Sequence, residues 1–154
     1  MIKLNSRFRI ILNILIFTVV AFIWINSLLP ARDSGALSQG FMNKLLGLFG
    51  LEYSDLPISE DTLHTIIRKL AHTFEFACLG AVLCLRLSQN PPRIAVFSAL
   101  PLAVAVAITD ELIQALSDRA CRVTDMLIDS FGASLGICFA LFIIHLISKK
   151  QTRC

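Results

Sequence analysis

Four long apolar stretches decide what this chain can fold into. They run from about Ile10 to Leu29, Ile66 to Leu87, Ile94 to Gln114 and Thr124 to Ile147. A helix rises ~1.5 Å per residue and the bilayer hydrocarbon is ~30 Å thick, so about 20 apolar residues cross it. Each stretch reaches that length. A soluble domain carries about 25% charged residues, whereas this chain has 16%, with 56% hydrophobic residues and a mean hydropathy of +0.74. The expected fold is all-α: a single-domain polytopic membrane protein of four transmembrane helices.

The breaks between stretches agree with this reading. Ser88-Gln89-Asn90-Pro91-Pro92 closes the second span and Ser148-Lys149-Lys150 the fourth. Pro101 falls inside the third, which membrane helices tolerate better than soluble ones. Lys3, Arg7 and Arg9 precede the first span as they would a signal peptide, but the span ends in Asn26-Ser27-Leu28-Leu29-Pro30 without a small-x-small site, so it reads as a retained helix. The one long connection, residues 30 to 65, carries Phe41, Met42, Leu45, Leu46, Leu48 and Phe49. A short helix there, lying on the membrane interface or packed as a lid on the spans, is expected.

Charge sets an orientation. With four spans the two termini share a side, and that side holds Lys3, Arg7, Arg9, Arg86, Arg93, Lys149, Lys150 and Arg153 but none of the eleven acids. The positive-inside rule therefore places both termini in the cytoplasm and the acidic end outside. The bases punctuate the spans and form no stripe, which excludes a nucleic-acid surface. The five cysteines show neither CxxC nor metal-finger spacing and outline no disulfide framework.

Polar residues inside apolar spans mark function by default, because a lipid-facing charge is costly. On the second span, Arg68, His72, Glu75 and Leu79 are spaced by four, three and four and so share one face; Lys69 lies beside Arg68. The third span ends Asp110-Glu111-Leu112-Ile113-Gln114. Adjacent side chains on a helix point about 100° apart, so only one of the two acids is expected to share a centre with Gln114. Arg122, Asp125, Asp129, Gly132 and Gly136 recur at three, four, three and four, giving a face with a base, two carboxylates and a GxxxG surface for close helix approach. Arg119 or Arg122 is the expected partner for Asp125 or Asp129. His64, in an acidic loop before the second span that is expected to be solvated, reads as interfacial, His145 as interfacial too, and Trp24 as a headgroup-level anchor.

At these residues the chain resembles the VanZ-like family of membrane proteins. The resemblance is carried by Arg68-Lys69-Leu70-Ala71-His72-Thr73-Phe74-Glu75-Phe76 with Leu79-Gly80, then by Asp110-Glu111-Leu112-Ile113-Gln114, and then by Arg119, Asp125, Asp129, Gly132 and Gly136. Trp24 to Pro30 resembles the end of the family's first helix, and the similarity spans about residues 10 to 147. The chain departs from many relatives at Leu116-Ser117-Asp118, where they have a proline or glycine turn, and at Phe76, where they have tyrosine. The resemblance implies a protein of the bacterial cytoplasmic membrane and cell envelope. One branch of the family is associated with low-level resistance to the glycopeptide teicoplanin.

Three functions fit the constellation. A binding site for an amphipathic envelope molecule, either a lipid-linked cell-wall precursor or a glycopeptide, would use Arg68, Lys69, Gln114, Arg119, Arg122 and Asp129 as contacts. An enzyme on a phosphate- or glycan-bearing lipid would take His72 as general base, with Glu75, Asp110, Glu111 and Asp125 as its acidic machinery. No motif indicates a resident cofactor, but phosphoryl chemistry would call for a divalent cation on Asp110, Glu111, Asp125 and Asp129. The third reading is a salt-bridged polar plug that fixes helix packing and takes no ligand.

Overall fold

In the computed structural model, residues 5–29, 31–50, 57–117 and 122–151 are described. They form five helices: α1 (Ser6–Leu28), α2 (Ala31–Phe49), α3 (Glu60–Leu87), α4 (Pro92–Leu116) and α5 (Val123–Gln151). Four of them, α1, α3, α4 and α5, are long and apolar enough to cross a membrane. Phe17, Phe97 and Phe139 project outward from α1, α4 and α5 at 75, 77 and 63% exposure. Outward aromatics all round the bundle would aggregate a soluble protein and suit one solvated by lipid. The protein is thus an all-α, multi-pass membrane protein with four spans.

Local chemistry fixes the ends. The Asn5 side chain caps α1 by accepting from the Arg7 amide, and Pro92 occupies the first turn of α4, where its missing N–H is harmless. Ser59 caps α3, whose first turn carries Glu60 and Asp61 and whose last carries Arg86, the signs that complement the helix dipole. This cap corrects the expectation of a solvated loop around His64. Residues 60–65 are the opening turns of α3, and His64 is half-buried there with Nε2 3.5 Å from Glu60 Oε1.

The first connection also differs from expectation. Its helix is not short: α2 begins directly after Pro30 and extends for 19 residues. Met42 and Leu46, one turn apart, are buried, while Phe41 and Leu48 face outward, and α2 rests against α3. Gln39 Nε2 donates to Glu60 Oε1 at 2.8 Å, tying the two. Gly50, at φ +65°, ends the helix in the left-handed conformation that glycine adopts without strain.

The most extensive interface joins α3 and α5, and small residues make it. A Cβ on Gly132 or Gly136 would overlap the backbone of Thr73 or Ala77, and one on Gly80 would overlap Ala133. The GxxxG face of α5 thus lies directly on the backbone of α3. Helix α4 turns Ala95, Ala99, Ala103 and Ala107, all at most 1% exposed, toward the bundle. Helix α1 packs on α3 and α4, opposite α5. Its Trp24 packs against the core with a buried Nε1. Phe76 is fully buried in the same core, where an aromatic ring needs no hydroxyl.

Candidate functional site

The alanine stripe of α4 determines where its acids go. Positions 95, 99, 103 and 107 are spaced by four, and the next in that series is Glu111, with Asp110 beside it on the same flank. Both carboxylates are fully buried. Each faces the bundle but meets a different neighbour. Asp110 points toward α1, accepting from Ser27 Oγ at 2.5 Å, and its other oxygen accepts from Gln114 Nε2 at 2.7 Å. Glu111 points toward the start of α5, where Oε2 accepts from the Arg122 amide at 2.8 Å.

Two further contacts complete a polar layer. Lys69 Nζ donates to Asp125 Oδ1 at 2.7 Å, joining α3 to α5. Asn26 Nδ2 donates to Glu75 Oε1 at 3.0 Å, joining α1 to α3. All four spans are therefore cross-linked by charge-assisted hydrogen bonds at the same end of the bundle. Counting back from the far ends of their helices, Lys69, Asp110 and Asp129 stand ~27–33 Å along the axis, about one hydrocarbon thickness.

Within this layer lies a small cleft, part of it open to the surroundings. Helix α3 contributes Arg68, Lys69 and His72, and α4 contributes Glu111 and Gln114. Helix α5 supplies Asp125, Ile128 and Asp129. His72 Nδ1 stands 3.6 Å from Glu75 Oε2, so Glu75 lies behind the histidine and outside the cleft lining. Asp129 is 3% exposed.

Of the residues singled out in the sequence, seven line one cleft, and Glu75 and Asp110 support it from behind. Arg122 does not take the expected place. Its side chain is exposed and only its amide reaches the site, because it precedes the first turn of α5 and the helical spacing does not extend to it. Asp125 is paired by Lys69 rather than by an arginine. Arg119 lies outside the described residues. The four carboxylates proposed for a cation do not converge: Asp110 is held by Ser27 and Gln114, and Asp125 by Lys69. Among the described residues, no three His, Cys, Asp or Glu side chains form a metal-binding group. Asn26 and Ser27 are the functional contributors that the sequence reading missed. Their signal was available, since two amide and hydroxyl groups at the end of an apolar span are partners for carboxylates at the same depth.

Hydroxyls close to the cleft are already committed. Thr73, Ser130 and Ser134 each donate to the carbonyl four residues earlier, as hydroxyls do in membrane helices, so none is presented as a nucleophile. What the described residues offer chemically is a guanidinium without an ion pair among them, one histidine, a neutral amide and a buried carboxylate around a small, partly open cleft.

A family model described as VanZ/LLP1 matches residues 10–145, from the first turns of α1 to near the end of α5. Curated proteins give no match, and neither do solved structures. A match over nearly the whole chain, together with four apolar spans, shows that the protein belongs to the VanZ/LLP1 family of membrane proteins.

Proposed function

We propose that the cleft binds the polar head of an amphipathic cell-envelope molecule while the molecule's apolar part stays in the bilayer. One observation carries this reading: a cleft of mixed charge opens among side chains that face lipid. Leu70 and Phe74 on α3, Leu112 on α4, and Leu127 and Phe131 on α5 are all more than half exposed, and each lies within a turn or so of a cleft residue on its own helix. Ligand sites generally pair an apolar flank with a few convergent polar groups, and this end of the bundle has both.

Size favours one class of ligand. Clefts that enclose a whole drug-sized molecule occupy ~300–1,000 Å³; this one is far smaller and partly open, so it can engage a few polar atoms of a head and cannot enclose a glycopeptide. A lipid-linked cell-wall precursor therefore fits better than the antibiotic. Any part the protein plays in glycopeptide resistance then acts through that precursor or the membrane around it. In this reading both termini are cytoplasmic, and the cleft faces the outside of a bacterial cytoplasmic membrane.

The test uses the purified protein in lipid nanodiscs with a polyprenyl-phosphate-linked precursor added, binding being read by native mass spectrometry. Arg68→Gln is expected to weaken binding about tenfold, the value of one charge-assisted contact, with the melting temperature unchanged. Equal binding by the variant and the parent overturns the reading. Loss of binding together with loss of folded protein supports the polar plug instead.

A second reading is favoured by the pairing of His72 with Glu75. A cleft histidine backed by a carboxylate is the arrangement that orients a general base, and its nucleophile would be water. Incubating the same nanodiscs and finding a hydrolysed head that disappears in His72→Ala would establish catalysis.

A further inference from the structure

Among the described residues, the carboxylates around the cleft outnumber the cations. Arg68 and Lys69 are its cations, and Glu111, Asp125 and Asp129 are its carboxylates. Glu75 and Asp110 add two more immediately behind them. Lys69 is engaged with Asp125, and the amide of Arg122 is the cleft-side donor to Glu111. Asp129 is different. It is 97% buried, it lines the cleft, and among the described residues it has neither hydrogen bond nor ion pair. Arg68 likewise has no ion pair among them.

Buried carboxylates are retained in membrane spans when something compensates them, and here the described chain supplies nothing to Asp129. Gln114 bears on what does. Its Nε2 is fixed by donation to Asp110 and the residue lines the cleft, so its amide oxygen is left as a neutral acceptor. A divalent ion asks for about six oxygen ligands, and no such group converges among the described residues. A primary ammonium asks only for a carboxylate and one or two neutral acceptors. Arg68, on the same cleft, then meets an anion carried next to that ammonium.

We infer that the cleft recognises a zwitterionic head, a primary ammonium on Asp129 and Gln114 with an adjacent phosphate or carboxylate on Arg68. This rests on the reading of the cleft as a headgroup site and names the chemistry of that head. Two sources carry it: an aminated phospholipid such as phosphatidylethanolamine, and a lipid-linked precursor bearing a free amine.

The experiment varies the lipid first and the protein second, so that it does not depend on a variant folding. The parent protein in nanodiscs is offered phosphatidylethanolamine, its N-methylated series up to phosphatidylcholine, N-acetylated phosphatidylethanolamine, and phosphatidylglycerol. Retained lipid is counted by native mass spectrometry. A second arm offers a lipid-linked precursor, with its amine free or acetylated, in phosphatidylglycerol discs. Retention is expected to fall about tenfold when the amine is acetylated and to decline stepwise with methylation, as ammonium hydrogen bonds are lost. The arm in which this occurs identifies the source. Asp129→Asn should abolish the preference for the free amine, and Arg68→Gln should weaken every head. If phosphatidylglycerol is retained best and Arg68→Gln releases it, the ammonium assignment is overturned while the headgroup site stands. If no head is retained in a manner sensitive to either variant, both fall.

Discussion

At the residue scale the layer works by division of labour. Lys69 and Asp125, with side chains 32 and 22% exposed, form the link between α3 and α5 that a single charge-assisted hydrogen bond can make. A double-mutant cycle on Lys69→Met and Asp125→Asn, measured by thermal unfolding in detergent, should return a coupling of about 1–2 kcal/mol. That is above the range of exposed pairs and within that of hydrogen bonds to charged groups; coupling near zero would mean the two side chains do not meet. Ser27→Ala removes the donor to one oxygen of a fully buried carboxylate and should destabilise by about 1–3 kcal/mol in the same assay. Sequence spacing identified Arg68, His72, Asp125 and Asp129 as members of inward faces, because helical periodicity is a property of one helix. It did not identify which charge meets which. Lys69 was paired only once the rotation of α3 against α5 was known, and Ser27 and Asn26 belong to a helix whose own periodicity shows nothing unusual.

At the element scale, glycine separates contact from composition. Gly136 and Gly47 are both helical, but an added Cβ meets the backbone of Ala77 at Gly136 and open space at Gly47. Gly136→Ala should therefore destabilise the bundle by about 1–3 kcal/mol through overpacking. Gly47→Ala should stabilise α2 by about 0.5–1 kcal/mol, because alanine loses less backbone entropy on forming helix. Thermal unfolding reads the first, and hydrogen exchange of α2 amides reads the second. Shifts of the same sign would contradict the close approach of α3 and α5. The GxxxG of α5 was legible as a packing surface from spacing alone. The alanine series of α4 was equally present in the sequence, and extending it by one step would have shown that Glu111 turns inward. The start of α3 was obscured because Glu60 and Asp61 lower hydropathy where they complement the helix dipole.

At the scale of the whole molecule, four spans were readable from length and hydropathy, since the bilayer imposes a single dimension on every crossing helix. Depth followed from the same arithmetic, which is why one end of the bundle could be expected to hold the site. The side of the membrane on which that end lies is set by charge. The connection between α3 and α4 carries Arg86 and Arg93 at its borders, the ends of α1 and α5 on that side carry further bases, and no acid accompanies them. Moving that basic end across an energised membrane opposes the positive-inside bias, so the cleft should face outward. In a cysteine-free background, Ile58→Cys, before α3, and Asn90→Cys, between α3 and α4, sit on opposite sides and are both exposed. A membrane-impermeant maleimide should label Ile58→Cys in intact cells and Asn90→Cys only after permeabilisation. The reverse pattern would turn the cleft toward the cytoplasm. The headgroups within its reach would then be those of the inner leaflet, and a precursor presented outside the cell could not be its ligand.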